Sequence, residues 1–133
     1  MSNWRRMGPW SAIAMGTAML VAGAGNSAAV AQDAVSFKED VYPVLELRCL
    51  DCHQPGGSGY ETSGLDMRTY EGLMKGTKYG PVVLPGRAME SNLVSVIDHR
   101  TDSAIWMPHD RKRLSKCERL LVRFWVNQGA PNN

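Results

Sequence analysis

The sequence predicts an all-α fold made of short helices and long loops. Helix-capping patterns, apolar residues at helical spacing, and the lack of any convincing strand pattern support this prediction. The chain has 133 residues, of which 44% are hydrophobic, and a chain of this length is expected to form one domain. We place that domain at residues 32–133.

Residues 1–31 have the pattern of a secretory signal peptide. Arg5 and Arg6 precede an uncharged run, 7–31, which ends in the small-residue motif AVA at 29–31. The alternative is an uncleaved membrane anchor, because a helical span needs about 20 residues. The weakly apolar last third of the run favours cleavage. The paired arginines also fit twin-arginine export, and by either route we expect a periplasmic protein.

The first helix of the domain is predicted to begin at Ser36. Ser36 and Glu39 have the spacing of a capping box. Pro43 should kink the helix or restart it. The expected apolar face comprises Val41, Val44 and Leu45, with Leu47 as an extension. This helix leads directly into the most informative motif of the chain.

That motif is CLDCH at 49–53, which has the spacing of a covalent attachment site for c-type haem. One helical turn places the sulfurs of Cys49 and Cys52 along one edge of a porphyrin, where they can form thioethers with its two vinyl groups. His53 can then reach the iron as the proximal ligand. A haem held in this way would also supply core to a domain that buries only about two-thirds of its surface.

Two other kinds of site also use a pair of cysteines at this spacing. Structural zinc needs four ligands, typically in two paired sets, and the chain has no second CxxC motif. A thioredoxin-like redox pair requires a βαβ context, which the sequence does not predict. Haem attachment is therefore the favoured interpretation.

The segment after the motif is predicted to contain loops and two short helices. Residues 54–59 are rich in glycine and are predicted to form a loop. Short helices are expected over 69–75, ended by Gly76, and over 92–98, capped by Ser91.

Met107 is the best candidate for the sixth ligand of the iron. It follows Trp106 and precedes Pro108 in a loop well beyond the haem motif. His109 or His99 could instead give a bis-histidine haem, although solvation is the plain expectation for His109. The remaining methionines of the domain are expected to pack in the core or at the surface; they are Met67, Met74 and Met89.

The last helix has the clearest pattern in the chain. Ser115 and Glu118 form a capping box, and Gly129 ends the helix. The apolar positions at helical spacing are Cys117, Leu120, Leu121, Phe124 and Trp125. Because Cys117 lies on this face, we expect a buried, inert thiol.

Charge is balanced overall but divided along the chain. Residues 32–133 hold 13 basic and 13 acidic side chains, and nothing in this balance indicates nucleic acid binding. Residues 32–98 carry a net charge of −4 and residues 99–133 a net charge of +4. A redox partner with an acidic surface is therefore expected to dock at the basic cluster of Arg111, Lys112, Arg113 and Lys116. The alternative is a solvated surface that binds no partner.

The sequence resembles the planctomycete-type cytochrome c domain, a branch of the class I cytochrome c fold. The resemblance covers nearly all of residues 32–133. It is carried by VYPVL at 41–45, CLDCH at 49–53, SGLD at 63–66, GP at 80–81, PG at 85–86, Ser91, MP at 107–108, LS at 114–115 and WVNQGA at 125–130. One departure concerns the haem edge: HDR at 109–111 replaces the second proline and small residues usual in the family.

The resemblance implies one haem c held by Cys49 and Cys52, with His53 as proximal and Met107 as distal ligand. It also implies that the last helix packs Leu121, Phe124 and Trp125 across the first helix near Val41 and Leu45. The expected function is single-electron transfer, as a free carrier or as the haem subunit of a larger oxidoreductase, and not catalysis by this chain alone. The alternative is a haem-based ligand sensor or a haem enzyme in which Met107 detaches.

Overall fold

The computed structural model describes residues 34–133, so the predicted signal peptide or anchor lies outside the described residues. Within them the fold is all-α, as predicted, and an isolated bridge between Thr77 and Gly80 is the only β-type pairing. The helices are α1, Tyr42–Arg48; α2, Ser58–Ser63; α3, Tyr70–Lys75; α4, Asn92–Ile97; and α5, Lys116–Asn127. Short 3₁₀ turns occupy Ala88–Glu90 and Ser103–Ile105.

A π-helical turn, Phe37–Val41, precedes α1 and changes the expected capping box. The Ser36 hydroxyl accepts a hydrogen bond from the Glu39 amide at 3.2 Å, as predicted. The return bond comes from Asp40, whose carboxylate accepts the Ser36 amide at 2.8 Å. The wider π turn moves the reciprocal partner one residue along the chain. The α-helix then restarts with Pro43 in its first turn, which is one of the two predicted outcomes.

Helix α2 corrects the prediction of a loop over 54–59. Ser58 and Gly59 lie in its first turn, and Gly64 ends it with a φ of 76°. The amide of Tyr60 donates to the carbonyl of Cys52 at 2.8 Å, which attaches this helix to the haem motif.

The other short helices form where the sequence predicts them. Thr69 caps α3 by accepting a hydrogen bond from the Gly72 amide, and Gly76 ends it. Ser91 precedes α4 but does not cap it with its side chain. Its buried hydroxyl instead accepts a hydrogen bond from the Leu84 amide at 2.8 Å, which fastens the preceding loop to the helix.

Helix α5 packs through Trp125, which is fully buried. The ring centroids of Trp125 and Phe37 are 5.5 Å apart, and Val41 and Leu45 belong to the same core. This confirms packing of the last helix against the first. Phe124 is 48% exposed, so the prediction that it packs inward is wrong. Cys117 is exposed too, which corrects the expectation of a buried thiol.

The end of the chain secures the start of the domain. The Asn133 side chain accepts a hydrogen bond from the Phe37 amide at 2.9 Å, and its backbone carbonyl accepts one from the Lys38 amide at 3.0 Å. The Trp125 indole donates to the carbonyl of Pro131 at 2.9 Å. The bonds from Asn133 hold the start of the domain and the end of the chain together. No helix within residues 34–133 is long and apolar enough to span a bilayer.

Candidate functional site

The CxxCH motif forms a tight turn at the end of α1. The Cys49 amide donates to the carbonyl of Leu45 at 2.8 Å, which is the last bond of the helix. The Cys49 carbonyl then accepts hydrogen bonds from the amides of Cys52 and His53, at 3.1 and 3.0 Å. The chain therefore closes one turn between the two cysteines, as their spacing predicts, and His53 follows at the end of that turn.

The His53 side chain points into the protein and is only 8% exposed. Its Nδ1 atom is buried without a hydrogen-bond partner among the described residues. Burial lowers the pKa of His53 below its usual value, opposed by the backbone of Leu65. A neutral imidazole is the form that binds a metal ion. Burial therefore favours the protonation state that a proximal ligand requires.

Helix α2 packs against this imidazole at Gly59. A Cβ atom at position 59 would lie 2.7 Å from Cε1 and 3.0 Å from Nδ1 of His53. The glycine is therefore needed for the close approach, and sequence reasoning missed it. The glycine-rich stretch was visible in the sequence, but it indicated a loop and not a contact with the histidine.

The two cysteines are free thiols in the structure, and both are partly buried. Burial raises the pKa of the Cys49 thiol to about 12, with Arg48 opposing the shift and Cys52 adding to it. A reactive redox cysteine has a lowered pKa, so this environment is unlike that of a redox pair. Residues 34–133 also contain no group of three or more His, Cys, Asp or Glu side chains placed to hold a metal ion.

Met107 lies in the loop between the Ser103–Ile105 turn and α5. Its amide donates to the Val96 carbonyl at 3.2 Å, and its half-buried side chain packs against the core that Cys49 and Leu50 also contact. The carbonyl of Met107 lies 3.3 Å from Nε2 of His99. The ring of His99 is thus engaged with the backbone of the Met107 loop, whereas His109 is largely exposed beside Asp110.

The other methionines differ in burial. Met67 is 3% exposed and belongs to the core, and Met74 packs at its edge. Met89 is 53% exposed. Met67 and Met74 therefore serve packing, as expected.

Two polar contacts join the Met107 loop to the haem motif. Arg111 donates to the carboxylate of Asp51, which lies between the cysteines, at 2.9 Å. Arg48, which precedes the motif, donates to the carbonyl of Lys112 at 2.7 Å. A cleft of about 210 Å³ lies between the two segments, lined by Leu47, Arg48, Pro108, Arg111 and Lys112. The structure thus brings the proposed distal loop and the proximal motif to the same side of the domain.

A turn that carries two cysteines, followed directly by a buried histidine, is the arrangement typical of a covalent attachment site for haem. In a small all-α fold, this arrangement is typical of c-type cytochromes. The family model described as Planctomycete cytochrome C matches residues 49–110, from the first cysteine of the motif to just beyond Met107. This match confirms the resemblance seen in the sequence. Neither the curated proteins nor the solved structures contain a match to the chain. A cytochrome c domain implies haem c and indicates haem-based electron transfer.

Proposed function

We propose that the protein is an exported cytochrome that carries one covalent haem, ligated by His53 and Met107, and passes single electrons between partner proteins. It acts as a free periplasmic carrier or as the haem subunit of a larger oxidoreductase. The observation that carries the proposal is the His53 ring, buried directly after the cysteine pair, with Nδ1 unpartnered among the described residues.

Each site residue has one task in this proposal. Cys49 and Cys52 would hold the haem through two thioethers, and the haem, when bound, supplies reversible one-electron exchange at its iron. His53 presents a neutral nitrogen from a buried position. Met107 offers a thioether, a ligand that raises the reduction potential of haem iron. With His53 and Met107 both bound to the iron, no position would remain there for a substrate, so electron transfer is favoured over catalysis.

The proposal includes a docking surface beside the site. Arg111, Lys112, Arg113 and Lys116 are all exposed, and Arg111 contacts the haem motif through Asp51. Complementary charge speeds the encounter of two proteins more than it tightens their complex. A carrier that must release its partner quickly gains from such a surface, and we propose that the partner presents carboxylates to it.

Carbon monoxide tests the axial ligands. The ferrous wild-type protein should not bind carbon monoxide, because both axial positions are filled, whereas ferrous Met107→Ala should bind it. Met107→His should lower the midpoint potential relative to the wild type.

Two results of the same titration would contradict the proposal. If Met107→Ala stays low-spin and ligand-inert, another side chain, such as His109, is the distal ligand. If the wild-type protein binds carbon monoxide readily, the distal side opens, and the protein is a ligand sensor or a haem enzyme.

A further inference from the structure

Helix α4 ends at a different type of residue from helices α2, α3 and α5. Helices α2, α3 and α5 end at or just before a glycine with positive φ: Gly64 at 76°, Gly76 at 80° and Gly129 at 97°. Helix α4 ends before His99, whose φ is 56°. Glycine is favoured in this left-handed conformation because it has no Cβ atom to crowd the backbone. His99 therefore occupies a position where the backbone alone would favour glycine.

The backbone around His99 forms an ordinary helix ending. The His99 amide donates to the Val96 carbonyl at 3.3 Å, and the Arg100 amide donates to the Ser95 carbonyl at 2.9 Å. The same pair of bonds, at 3.1 and 2.9 Å, closes α5 around Gly129. Both are Schellman motifs. Because the motif forms equally with glycine, the imidazole is not needed to end the helix.

The imidazole contacts the proposed distal loop in two ways. It stacks on the indole of Trp106, with ring centroids 4.4 Å apart and planes 6° from parallel. With its proton on Nε2, it also donates to the carbonyl of Met107 at 3.3 Å. The Trp106 indole in turn donates to the Thr101 carbonyl at 2.9 Å. One side chain thus holds two consecutive residues of the loop.

The base of this contact is fixed to the rest of the fold. Asp98 immediately precedes His99, and its side chain is 7% exposed. Its carboxylate accepts hydrogen bonds from Arg119, at 3.1 Å, and from Arg123, both on α5. The backbone that carries His99 is therefore anchored to the longest helix.

We propose that His99 is a positioning residue which, with Trp106, clamps the distal loop so that Met107 outcompetes small exogenous ligands for the iron. This proposal rests on the His53 and Met107 ligation proposed above. A backbone conformation unfavourable for histidine is retained at a site where its ring restrains the loop, and strained residues commonly mark such functional positions. Loss of the clamp increases the fraction of time that the loop is displaced, and the apparent affinity for a competing ligand rises by the same factor.

The test is imidazole binding to the purified ferric holoprotein. His99→Gly introduces the residue that the backbone at this helix ending favours, and it removes the imidazole that forms the clamp. We expect an apparent affinity for imidazole about tenfold higher than in the wild type, and a weaker iron–thioether charge-transfer absorption. Far-ultraviolet circular dichroism and covalent haem content should be unchanged.

The matched control is Asp110→Gly. Asp110 also has positive φ, 52°, and lies in the same loop, but its side chain is 91% exposed. Replacing it relieves the same kind of backbone strain without touching the clamp, so imidazole affinity should stay at the wild-type value. An equal rise in this control would mean that any glycine in the loop loosens it, and would overturn the proposal.

Trp106→Ala provides a second variant that leaves the left-handed position intact. It should raise imidazole affinity to a similar extent. The variant that combines His99→Gly with Trp106→Ala should bind imidazole little more tightly than either single variant, because both substitutions remove the same contact. Unchanged imidazole affinity in both single variants overturns the clamp.

Met107→Ala distinguishes the possible failures. If it raises imidazole affinity while His99→Gly does not, the clamp proposal fails and the proposed ligand stands. If it leaves the spectrum and the affinity unchanged, Met107 is not the ligand and both proposals fail. If His99→Gly alone abolishes the low-spin spectrum, His99 is itself the ligand, which also overturns the clamp.

Discussion

At the scale of single residues, Gly59 sets how closely α2 approaches the imidazole of His53. Glycine within a helix costs about 1 kcal/mol relative to alanine, so alanine would be favoured at this position by helix propensity alone. Steric contact opposes it, because the added Cβ atom would lie 2.7 Å from the His53 ring and 3.0 Å from the Cys52 carbonyl oxygen. Helix propensity and steric contact therefore oppose each other at one position beside the site.

We expect Gly59→Ala to destabilise the protein despite its gain in helix propensity. Overpacking a well-filled interior costs about 1–3 kcal/mol, which exceeds the propensity gain of about 1 kcal/mol. Urea unfolding of the holoprotein should show a lower free energy of unfolding, by about 1 kcal/mol, together with a shifted absorption spectrum. Ser58→Ala, at an exposed position in the same turn, should change neither. A more stable Gly59→Ala protein with a wild-type spectrum would show that α2 does not press on His53.

The residues of the haem motif could be predicted because their geometry is local. Cys49, Cys52 and His53 lie within one turn, so their spacing alone fixes how they face a porphyrin. Gly59 acts through a contact with the His53 ring, and His99 through contacts with Trp106 and Met107. No spacing rule shows such contacts in a single sequence. The prediction of Met107 used its position in the chain and the family resemblance, and it stays a prediction here.

At the scale of the helices, α5 shows how far apolar spacing can be trusted. Its capping box and its end at Gly129 agree with the sequence. The buried residues, however, are Val122, Trp125 and Val126. Apolar side chains cover more than one face of this helix, so spacing alone does not determine which stripe is buried. The fold places Phe124 on the outside and Trp125 on the inside.

Replacement of the two neighbouring aromatic residues tests this orientation. Trp125→Ala removes a fully buried ring and should lower the free energy of unfolding by about 3–5 kcal/mol. Phe124→Ala, at a position 48% exposed, should change it by about 0.5 kcal/mol or less. Equal losses in the two variants, measured by chemical denaturation, would contradict the packing described here.

The sequence predicts a loop where helix α2 begins, because local propensity does not show tertiary contacts. The glycines and proline between 54 and 59 indicate a loop because each disfavours helix formation. The same glycines permit close contact with the motif: a Cβ atom at position 57 would lie 2.5 Å from the Cys52 carbonyl oxygen. Tertiary contact therefore overrides local propensity where the helix supports the site.

At the scale of the whole molecule, the basic cluster consists of two kinds of residue. Arg111 pairs with Asp51, and Arg113 donates a hydrogen bond to the backbone carbonyl of Asp98. Lys112 and Lys116 are exposed and form no ion pair among the described residues. The arginines therefore have roles within the fold, and the two lysines carry the charge best placed to meet a partner.

Charge reversal at the lysines tests the docking proposal without breaking those contacts. Lys112→Glu with Lys116→Glu should slow bimolecular electron transfer to the physiological partner at low salt, with little change in midpoint potential. The wild-type rate should fall as salt is added, because exposed charges are screened beyond about 10 Å at 0.1 M. Lys38→Glu with Lys75→Glu makes the same change in net charge on exposed residues elsewhere and should have a smaller effect. A rate indifferent to salt and equal in both double variants would indicate a neutral docking surface or a permanently bound partner.

The central claim is that Cys49 and Cys52 hold a haem covalently, and the mass of the denatured, alkylated chain tests it most directly. Three cysteines are free thiols in the polypeptide alone. In protein purified from an exporting host, the account predicts a chain that carries the mass of one haem and one alkyl group, the latter on the exposed Cys117. A colourless, folded chain that takes up three alkyl groups and carries no haem would contradict it.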